Sequence, residues 1–222
     1  MLYVIGTPIG NLNDITLRAL EALKSADVIA AEDTRHSGNL LRHFEIRKPL
    51  VSYHEHNEAM RSQELAERLA AGENVALITD AGMPGLSDPG ARLIRKCIDQ
   101  HLPFTILPGA SAILTALVGS GFSLDRFSYR GFLPPKSGGR ERELRAAAER
   151  EETSVFFESP HRLIKTLSAC LAIMPDRQLC VARELTKKFE EFRRGTAAEL
   201  LAHYQAHPLK GEITLVITGA AR

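Results

Sequence analysis

The chain has 222 residues, of which 44% are hydrophobic and 25% charged, and its formal net charge is +1. The length fits one large domain or two domains of about 100 residues each. The balanced charge excludes a uniformly basic coat for nucleic acid, although a local basic face can exist within it. No apolar run reaches the roughly 18 residues of a membrane span, and residues 1–5 form a strand pattern rather than a signal peptide. We therefore expect a cytoplasmic globular protein without a membrane segment.

The cysteines, Cys97, Cys170 and Cys180, are odd in number, widely spaced and surrounded by apolar residues. This pattern is typical of buried, reduced thiols and argues against a disulfide framework or a zinc site with Cys-x-x-Cys spacing. His54 and His56 alternate and would share one face of a strand, as a metal pair can. Because no third ligand accompanies them in sequence, we predict that the protein holds no metal.

Through residue 120, short apolar runs alternate with helical patterns. The runs predicted to be strands are residues 2–5, 28–31, 50–53, 75–79 and 104–107. Between them, apolar side chains recur at helical spacing, as at Leu93, Ile94, Cys97 and Ile98. Alternation of strands with amphipathic helices predicts an α/β fold with a mostly parallel sheet covered on both faces.

The pattern changes at Gly119-Ser120-Gly121, which is a flexible break. We therefore divide the chain into two domains, residues 1–120 and residues 121–222. The second half carries predicted strands at residues 127–132, 154–157, 179–182, 189–194 and 213–218. A flexible loop at 133–139 precedes a charged helix at 140–151. This order predicts a mixed α/β domain with some antiparallel pairing.

Open α/β sheets bind ligands at the carboxyl ends of their strands. The first such end is Gly6-Thr7-Pro8-Ile9-Gly10-Asn11, whose glycines let a ligand approach the backbone. It is not the G-x-G-x-x-G fingerprint of dinucleotide-binding proteins, and it is not a P-loop because no Gly-Lys-Ser/Thr follows. The alternative is a tight strand-to-helix turn without a ligand.

Two further turns follow the fourth and fifth predicted strands. Asp80 stands at a strand tip, where it can accept hydrogen bonds from an amine or a ribose hydroxyl. Asp88-Pro89 is predicted to be the N-cap and first residue of the next helix. Ser111 does not fit G-x-S-x-G, because Ile113 occupies the last position, and this excludes a serine hydrolase. We expect Ser111 to cap the following helix while its backbone faces a ligand.

Charged residues follow three other predicted strands. Segment 31–36 is either a solvated loop or a site of substrate contact and acid–base chemistry. Ser159-Pro160 is predicted to be a helix cap and first helical residue, which leaves Glu158 and His161 available for function. The charges of segment 182–190 belong either to a buried ion pair or to a polar site.

Six of these segments together resemble the signature of the ribosomal RNA small-subunit methyltransferase I family, a branch of the tetrapyrrole methylase superfamily. They are residues 7–12 (TPIGNL) with 14–15, 31–35 (AEDTR), 79–90, 107–109 (LPG), 158–162 (ESPHR) and 182–187 (ARELTK). Each segment alone is a weak signal. Their common order over almost the whole chain is a strong one.

The resemblance implies a homodimer of subunits with two α/β domains of tetrapyrrole-methylase type. S-adenosylmethionine would lie in the cleft between the domains and leave as S-adenosylhomocysteine. The implied reaction is 2′-O-methylation of a cytidine ribose in the decoding region of 16S ribosomal RNA, either free or in the 30S subunit. The carried-over cofactor contacts are Pro8, Ile9, Gly10, Asp80, Gly82, Met83, Ser111, Ala112, Phe157 and Ala182.

A ribose hydroxyl is a poor nucleophile, so a base must remove its proton. The leaving thioether is neutral, so neither a general acid nor a metal is needed. The candidate catalytic residues are Asp33, His36, Glu158 and Lys187, with Glu184 as a further possibility. Phosphate contacts require cations, and the RNA-binding candidates are Arg35, Arg130, Lys136, Arg140, Arg162 and Lys188.

Two other functions are compatible with the sequence. One is methylation of a tetrapyrrole or another small molecule by an enzyme of the same superfamily. The other is a ribosome-assembly factor that binds the cofactor without catalysis. Relatives usually continue past the last predicted strand into a small helical segment, whereas this sequence ends at residue 222. If that segment grips RNA, we expect the present chain to bind cofactor normally and RNA weakly.

Overall fold

The computed structural model of the chain describes residues 1–220 and divides the chain into two compact units. The first unit is Met1–Ser111 and the second begins at Ala112. The two units are α/β in composition, and each has its own sheet and its own apolar core.

The first unit contains five strands and four α-helices in alternation, as the apolar periodicity predicts. The strands are β1 (Leu2–Ile5), β2 (Val28–Ala31), β3 (Leu50–Ser52), β4 (Val75–Ile78) and β5 (Phe104–Leu107). The helices are α1 (Leu17–Ser25), α2 (Thr34–His43), α3 (Glu58–Ala70) and α4 (Ala91–Asp99). A short 3-10 helix, Leu12–Asp14, lies between β1 and α1.

All five strands are parallel, in the order β3-β2-β4-β1-β5. Alternate residues face opposite sides of the sheet, so Leu2 and Val4 belong to one apolar core while Ile5 and Ile29 belong to the other. Burial on both faces explains why the three central strands, β2, β4 and β1, are continuous apolar runs rather than alternating ones. Parallel pairing also brings the carboxyl ends of all five strands to one edge of the sheet.

The second unit contains the remaining five strands. They are β6 (Phe127–Phe132), β7 (Thr153–Glu158), β8 (Gln178–Arg183), β9 (Glu191–Thr196) and β10 (Ile213–Ile217). Its helices are α5 (Ala112–Ser120), α6 (Ser137–Glu149), α7 (Leu163–Ile173) and α8 (Ala197–Ala206). The sheet order is β6-β7-β10-β8-β9, in which only the β6–β7 pair is parallel. The predicted mixed sheet is confirmed.

The division between units falls at Ser111, ahead of the break predicted at residue 120. Helix α5 packs against β8, β9 and β10 of the second unit. The guanidinium of Arg194 on β9 also donates to the carbonyl oxygens of Gly119 and Ser120 at the end of α5. A Cβ added at Gly119 would collide with the ring of Phe192, so glycine there lets that ring pack closely against α5. The glycines therefore mark close packing of α5, not a linker.

Three predicted helix starts are wrong. Helix α4 begins at Ala91 with Gly90 at its N-cap position, so Asp88-Pro89 does not cap it. Helix α7 begins at Leu163 after a turn that includes Ser159-Pro160. Helix α6 begins at Ser137, so the predicted loop at 133–139 is shorter and Lys136 occupies the N-cap position. At α4 and α7 the local cap signal lies a few residues before the position at which the helix begins.

Among the described residues, 1–220, no helix is both long enough and apolar enough to cross a membrane.

Candidate functional site

The turns after β1 and β4 are held together by backbone hydrogen bonds. The amide of Thr7 donates to the carbonyl of Gly82 at 2.9 Å, and the amide of Gly82 returns a bond to Thr7 at 3.1 Å. The buried hydroxyl of Thr7 donates to the carbonyl of Thr79 at 3.0 Å. The two turns that sequence analysis selected as ligand-binding elements therefore form one rigid surface at the carboxyl edge.

The turn after β5 joins the same surface through contact between two glycines. A Cβ added to Gly109 would stand 2.7 Å from the carbonyl oxygen of Gly6, and one added to Gly6 would stand 2.9 Å from the Cα of Gly109. No larger residue fits at either position without movement of the backbone. The turns after β1, β4 and β5 consequently meet through main-chain atoms.

The turn from Thr79 to Gly90 is shaped by backbone conformations that favour glycine. Gly82 has φ +81° and Gly85 has φ +84°, in the left-handed region that carries little cost for glycine. The amide of Gly85 donates to the carbonyl of Pro89 at 3.1 Å, which closes the turn before α4. Gly82 is buried, and a Cβ there would stand in ordinary contact with Ile9 at 3.8 Å, so its positive φ rather than crowding favours glycine.

Three carboxyl groups, Glu32, Asp80 and Asp88, lie near one another at this edge; we call them the acidic cluster. Burial raises the pKa of Asp88 to about 6, and the charges of Glu32 and Asp80 add to the increase. Burial, followed by the charge of Asp80, also raises the pKa of Glu32, against an opposing hydrogen bond from the Asp80 backbone. The amide of Asp33 donates to Oδ1 of Asp80 at 3.1 Å, which ties the turn after β2 to the turn after β4.

Glu32 and Asp88 are the members of the acidic cluster that sequence analysis missed, whereas Asp80 is among the predicted cofactor contacts. Glu32 was seen only as part of a mixed-charge segment, and Asp88 was assigned to a helix cap. The carboxyl groups of the cluster influence one another because the parallel sheet brings the ends of β2 and β4 to one edge. The hydrogen bond between Asp33 and Asp80, which are 47 positions apart in sequence, shows this. The available signal was that acidic residues follow both β2 and β4.

Asp33 and His36 belong to the first turn of α2. Oδ1 of Asp33 accepts hydrogen bonds from the amides of Arg35 at 2.8 Å and His36 at 3.4 Å, so Asp33 is the N-cap of this helix. These backbone and side-chain bonds, mainly with Arg35, lower the pKa of Asp33. The carboxylate is therefore a weaker base than an ordinary aspartate. His36 is exposed.

Glu158 lies at the end of β7, and its side chain has no exposed surface. Its Oε1 accepts from the amide of Ser159 at 2.7 Å and pairs with Arg162 at 2.8 Å, while Oε2 accepts from the hydroxyl of Thr166 at 2.5 Å. Arg162 in turn donates to the carbonyl of Leu133 at 3.0 Å. This buried network anchors α7 and the segment after β6 to the sheet, which favours a structural role for Glu158.

Lys187 and Glu184 form an ion-pair network after β8. The ammonium of Lys187 donates to Oε1 of Glu184 at 3.0 Å and to Oε2 of Glu212 at 2.7 Å. Burial alone would lower the pKa of Lys187. The hydrogen bonds that Lys187 donates to both glutamates, together with their negative charges, outweigh burial and raise this pKa. Lys187 is thus protonated at neutral pH and is unsuited to act as a base. The turn also holds Glu184 at φ +49° and Thr186 at φ +63°, conformations that are strained for side-chain-bearing residues.

The predicted cofactor residues differ in what they can offer a ligand. Pro8, Ile9 and Gly82 are buried within the joined turns, whereas Gly10 is exposed. The positions with partial exposure are Asp80, Met83, Ser111, Ala112 and Phe157. Ala182 is 0% exposed between β9 and β10, so its predicted contact with the cofactor is not supported.

The predicted RNA-binding cations also divide into two groups. Arg140 is 6% exposed, and its guanidinium donates to the carbonyl of Pro135, which leaves little of it accessible to RNA. Arg162 is partly buried and occupied by Glu158 and Leu133. The exposed members of the set are Arg35, Arg130, Lys136 and Lys188.

His54 and His56 follow β3 rather than alternating along it, because β3 ends at Ser52. Their ring centroids are 5.9 Å apart. Within the part of the chain that the structure describes, no group of three or more His, Cys, Asp or Glu side chains is arranged to hold a metal ion. The three cysteines are buried and unpaired with one another, as their apolar surroundings predict.

Comparison with known proteins agrees with this architecture. Residues 1–201 match the family model described as Tetrapyrrole (Corrin/Porphyrin) Methylases. Among solved structures, a uroporphyrin-III-C-methyltransferase from Thermus thermophilus is similar with a TM-score of 0.68, 22% identity and coverage of 98% of this chain and 93% of that one. A cobalt precorrin-4 methyltransferase is similar with a TM-score of 0.71, 19% identity and coverage of 98% and 94%. At these identities the structures establish the fold.

Sequence relatives narrow the family further. A Synechocystis protein is 48% identical over 221 residues, which is 99% of this chain and 79% of the relative. A Bacillus subtilis protein is 47% identical over 220 residues, which is 99% of this chain and 75% of the relative. Both are named ribosomal RNA small subunit methyltransferase I. The chain belongs to the tetrapyrrole methylase family, and within it to the ribosomal RNA small subunit methyltransferase I branch.

Proposed function

We propose that the protein transfers a methyl group from S-adenosylmethionine to the 2′-oxygen of a cytidine ribose in the decoding region of 16S ribosomal RNA. The observation that carries the proposal is the joined set of turns at the carboxyl edge of the first sheet, with the acidic cluster beside it. The names of relatives at 47–48% identity support RNA as the substrate class. The cytoplasm is the compartment in which this substrate occurs.

The residues of this edge suit S-adenosylmethionine chemically. The molecule presents a cationic ammonium, a cationic sulfonium and two ribose hydroxyls. Carboxylates can pair with both cations and can accept hydrogen bonds from the ammonium and the hydroxyls. The acidic cluster supplies carboxylates. The buried hydroxyl of Thr79 has no hydrogen-bond partner within residues 1–220, and a polar group of a ligand would satisfy it.

Glu32 and Asp88 are the carboxylates of this edge with raised pKa values, and we assign the proton transfer to Glu32 because it shares the turn after β2 with Arg35, a proposed RNA contact. S-adenosylmethionine supplies an electrophilic methyl group whose displacement leaves a neutral thioether. A general base works best when its pKa approaches the operating pH, and the pKa of Glu32 is raised. Asp33 is committed to capping α2, and Glu158 is committed to a buried ion pair. Asp80 would hold the cofactor while Glu32 faces the substrate.

The exposed cations Arg35, Arg130, Lys136 and Lys188 are proposed to contact RNA phosphates. Their number is modest, so binding to RNA should weaken as salt increases but with a shallow slope. We further propose that the active form is a homodimer, as the family resemblance implies.

Incubation of the purified protein with methyl-labelled S-adenosylmethionine tests the proposal against its alternatives. The acceptors to compare are 30S subunits lacking the modification, free 16S RNA and a precorrin. Label in a 2′-O-methylcytidine of either RNA sample supports the proposal. Label in the precorrin alone supports the small-molecule alternative, and cofactor binding without transfer to any acceptor supports the assembly-factor alternative.

A further inference from the structure

Three aromatic rings meet at one end of the β6–β7 pair in the second unit. The ring centroid of Phe157 is 5.1 Å from that of Tyr129 and 5.4 Å from that of Phe132, both in edge-to-face geometry. Phe132 is 58% exposed. We call these three residues the aromatic cluster. An exposed ring held in place by two neighbouring rings offers a fixed flat face on which a planar group can stack.

A β-bulge creates the cluster. Tyr129 pairs with Val155 and Phe132 pairs with Phe157. An advance of three residues along β6 therefore corresponds to an advance of two residues along β7, and β6 contains one extra residue. Without the bulge, residues three apart on a strand would face opposite sides of the sheet. Gly131, at φ +69°, lies within this bulge. The bulge places Phe132 on the same face of the sheet as Tyr129, where both rings contact Phe157. Bulges commonly re-aim side chains in this way beside functional sites.

The surroundings of the cluster are cationic and accessible. β6 is the outer strand of its sheet. Arg130, between Tyr129 and Phe132 in sequence, keeps 46% of its side chain exposed while it forms a salt bridge with Glu143 at 3.6 Å. Lys136, four residues after Phe132, is exposed at the N-terminus of α6. Cations beside an exposed aromatic face match the two parts of a nucleotide, since phosphate pairs with the charge and a base stacks on the ring.

We infer that the aromatic cluster stacks an unpaired base of the RNA, with Phe132 as the contacting ring and Arg130 and Lys136 on the adjoining phosphates. This inference rests on the proposed function, because it names how that substrate is gripped. Proteins read unpaired RNA by stacking splayed bases on aromatic rings. Phe132 is placed here by geometry, since the motif resemblance assigns it no role.

The direct test separates the base from the phosphate. Binding of a short fluorescein-labelled oligocytidylate is compared with binding of an abasic ribose-phosphate oligomer of the same length. The parent should favour the oligocytidylate, and Phe132→Leu should weaken oligocytidylate binding about tenfold while leaving the abasic oligomer unchanged. Phe132→Trp should restore the preference. Lys136→Ala should weaken both oligomers by similar factors.

Phe127→Leu is the matched control, because Phe127 is an exposed ring on the same strand, at 41%, outside the cluster. Equal losses in Phe127→Leu and Phe132→Leu would overturn the inference, as would binding of the abasic oligomer as tightly as the oligocytidylate. A loss of S-adenosylmethionine affinity in Phe132→Leu would assign the cluster to the cofactor instead. A change of sedimentation coefficient would assign it to a second copy of the chain.

Methylation of 16S RNA tests the proposed function, and binding of oligocytidylate tests the stacking site, so either can fail without the other. If the parent methylates 16S RNA and Phe132→Leu binds oligocytidylate normally, the inference fails and the function stands. If the parent binds oligocytidylate through Phe132 but methylates no RNA, the stacking site stands and the function fails. Thermal unfolding of each variant confirms that the exposed substitution leaves the fold intact.

Discussion

Glu32, Asp80 and Asp88 remain close together although ionised carboxylates repel one another. Burial and this repulsion raise the pKa of Asp88 to about 6 from an ordinary 3.8. Such an arrangement weakens the folded state at neutral pH, and proteins keep perturbed carboxylates mainly where chemistry or ligand binding uses them. We therefore treat the cluster as the functional centre of the first unit rather than as a stabilising feature.

The cluster makes stability depend on pH in a defined direction. Between about pH 4 and pH 6 the folded protein holds a proton on Asp88 that the unfolded chain releases, so the free energy of unfolding falls as pH rises. Asp88→Asn should remove this loss and stabilise the protein by about 1 kcal/mol at neutral pH, after allowance for solvent screening. Below pH 4 the variant and the parent should agree. Urea unfolding across this range measures the effect.

Asp176→Asn provides the control, because Asp176 is an exposed aspartate of the second unit. It should leave the pH dependence of unfolding unchanged. A parent-like pH dependence in Asp88→Asn would show that Asp88 ionises normally and that the cluster is not coupled.

Glu32→Gln tests the proposed base. Turnover at saturating cofactor and RNA should fall by about 10²–10⁴-fold, the usual contribution of a positioned base, whereas affinity for S-adenosylmethionine should change little. Single-turnover methylation of 16S RNA gives the rate, and calorimetry gives the affinity.

Asp33→Asn is the matched comparison, because asparagine is as good an N-cap as aspartate and preserves the start of α2. It should keep both the stability and most of the turnover. A larger loss of turnover in Asp33→Asn than in Glu32→Gln would move the base to Asp33.

At the scale of elements, local sequence signals identified strands well and helix starts poorly. The apolar runs at β1 and β2 match the observed strands because burial on both faces dictates them. The run at β5 matches as well, although β5 is an edge strand and Ile106 on it is 42% exposed. Asp88-Pro89 and Ser159-Pro160 contain good cap residues, but the chain uses them in turns. A cap signal states what a residue can do locally, while packing of the following helix decides where that helix begins.

Joining of the turns depends on glycine at two positions. Gly109→Ala would drive a Cβ into the backbone of Gly6, which should destabilise the protein by about 2 kcal/mol. Because the displaced turns bear the proposed cofactor contacts, affinity for S-adenosylmethionine should also fall about tenfold or more. Chemical denaturation and calorimetry measure the two effects.

Gly38→Ala is the control within the same unit. Gly38 lies inside α2, and an added Cβ would reach only Leu50, at 4.0 Å. Alanine there should be neutral or stabilise by about 0.5–1 kcal/mol, because it lowers the entropy cost of forming the helix. If Gly109→Ala behaved like Gly38→Ala, contact between the turns would not be required for binding.

At the scale of the molecule, the alternation of strands and helices was enough to predict a parallel first sheet and a mixed second one. The order of the strands could not be read from the sequence. That order brings Glu32 and Asp80 together, and it makes β6 an outer strand on which Phe132 is exposed. Side-chain burial was equally hidden, as Arg140 shows: its sequence neighbours are charged, yet its guanidinium is covered.

Family membership and the fold identify the protein as a methyltransferase, whereas its substrate is proposed. The solved structures that share the fold are named for tetrapyrrole substrates, and the sequence relatives are named for ribosomal RNA. The central claim is therefore the choice of acceptor and of the atom that is methylated.

Mass spectrometry of nucleosides tests this claim most directly. Unmodified 30S subunits are incubated with the purified protein and S-adenosylmethionine, and their 16S RNA is digested to nucleosides. We expect a gain of 2′-O-methylcytidine that is lost when Glu32→Gln replaces the parent protein. A methyl group on a nucleobase, or no gain on RNA together with methylation of a precorrin, would contradict it.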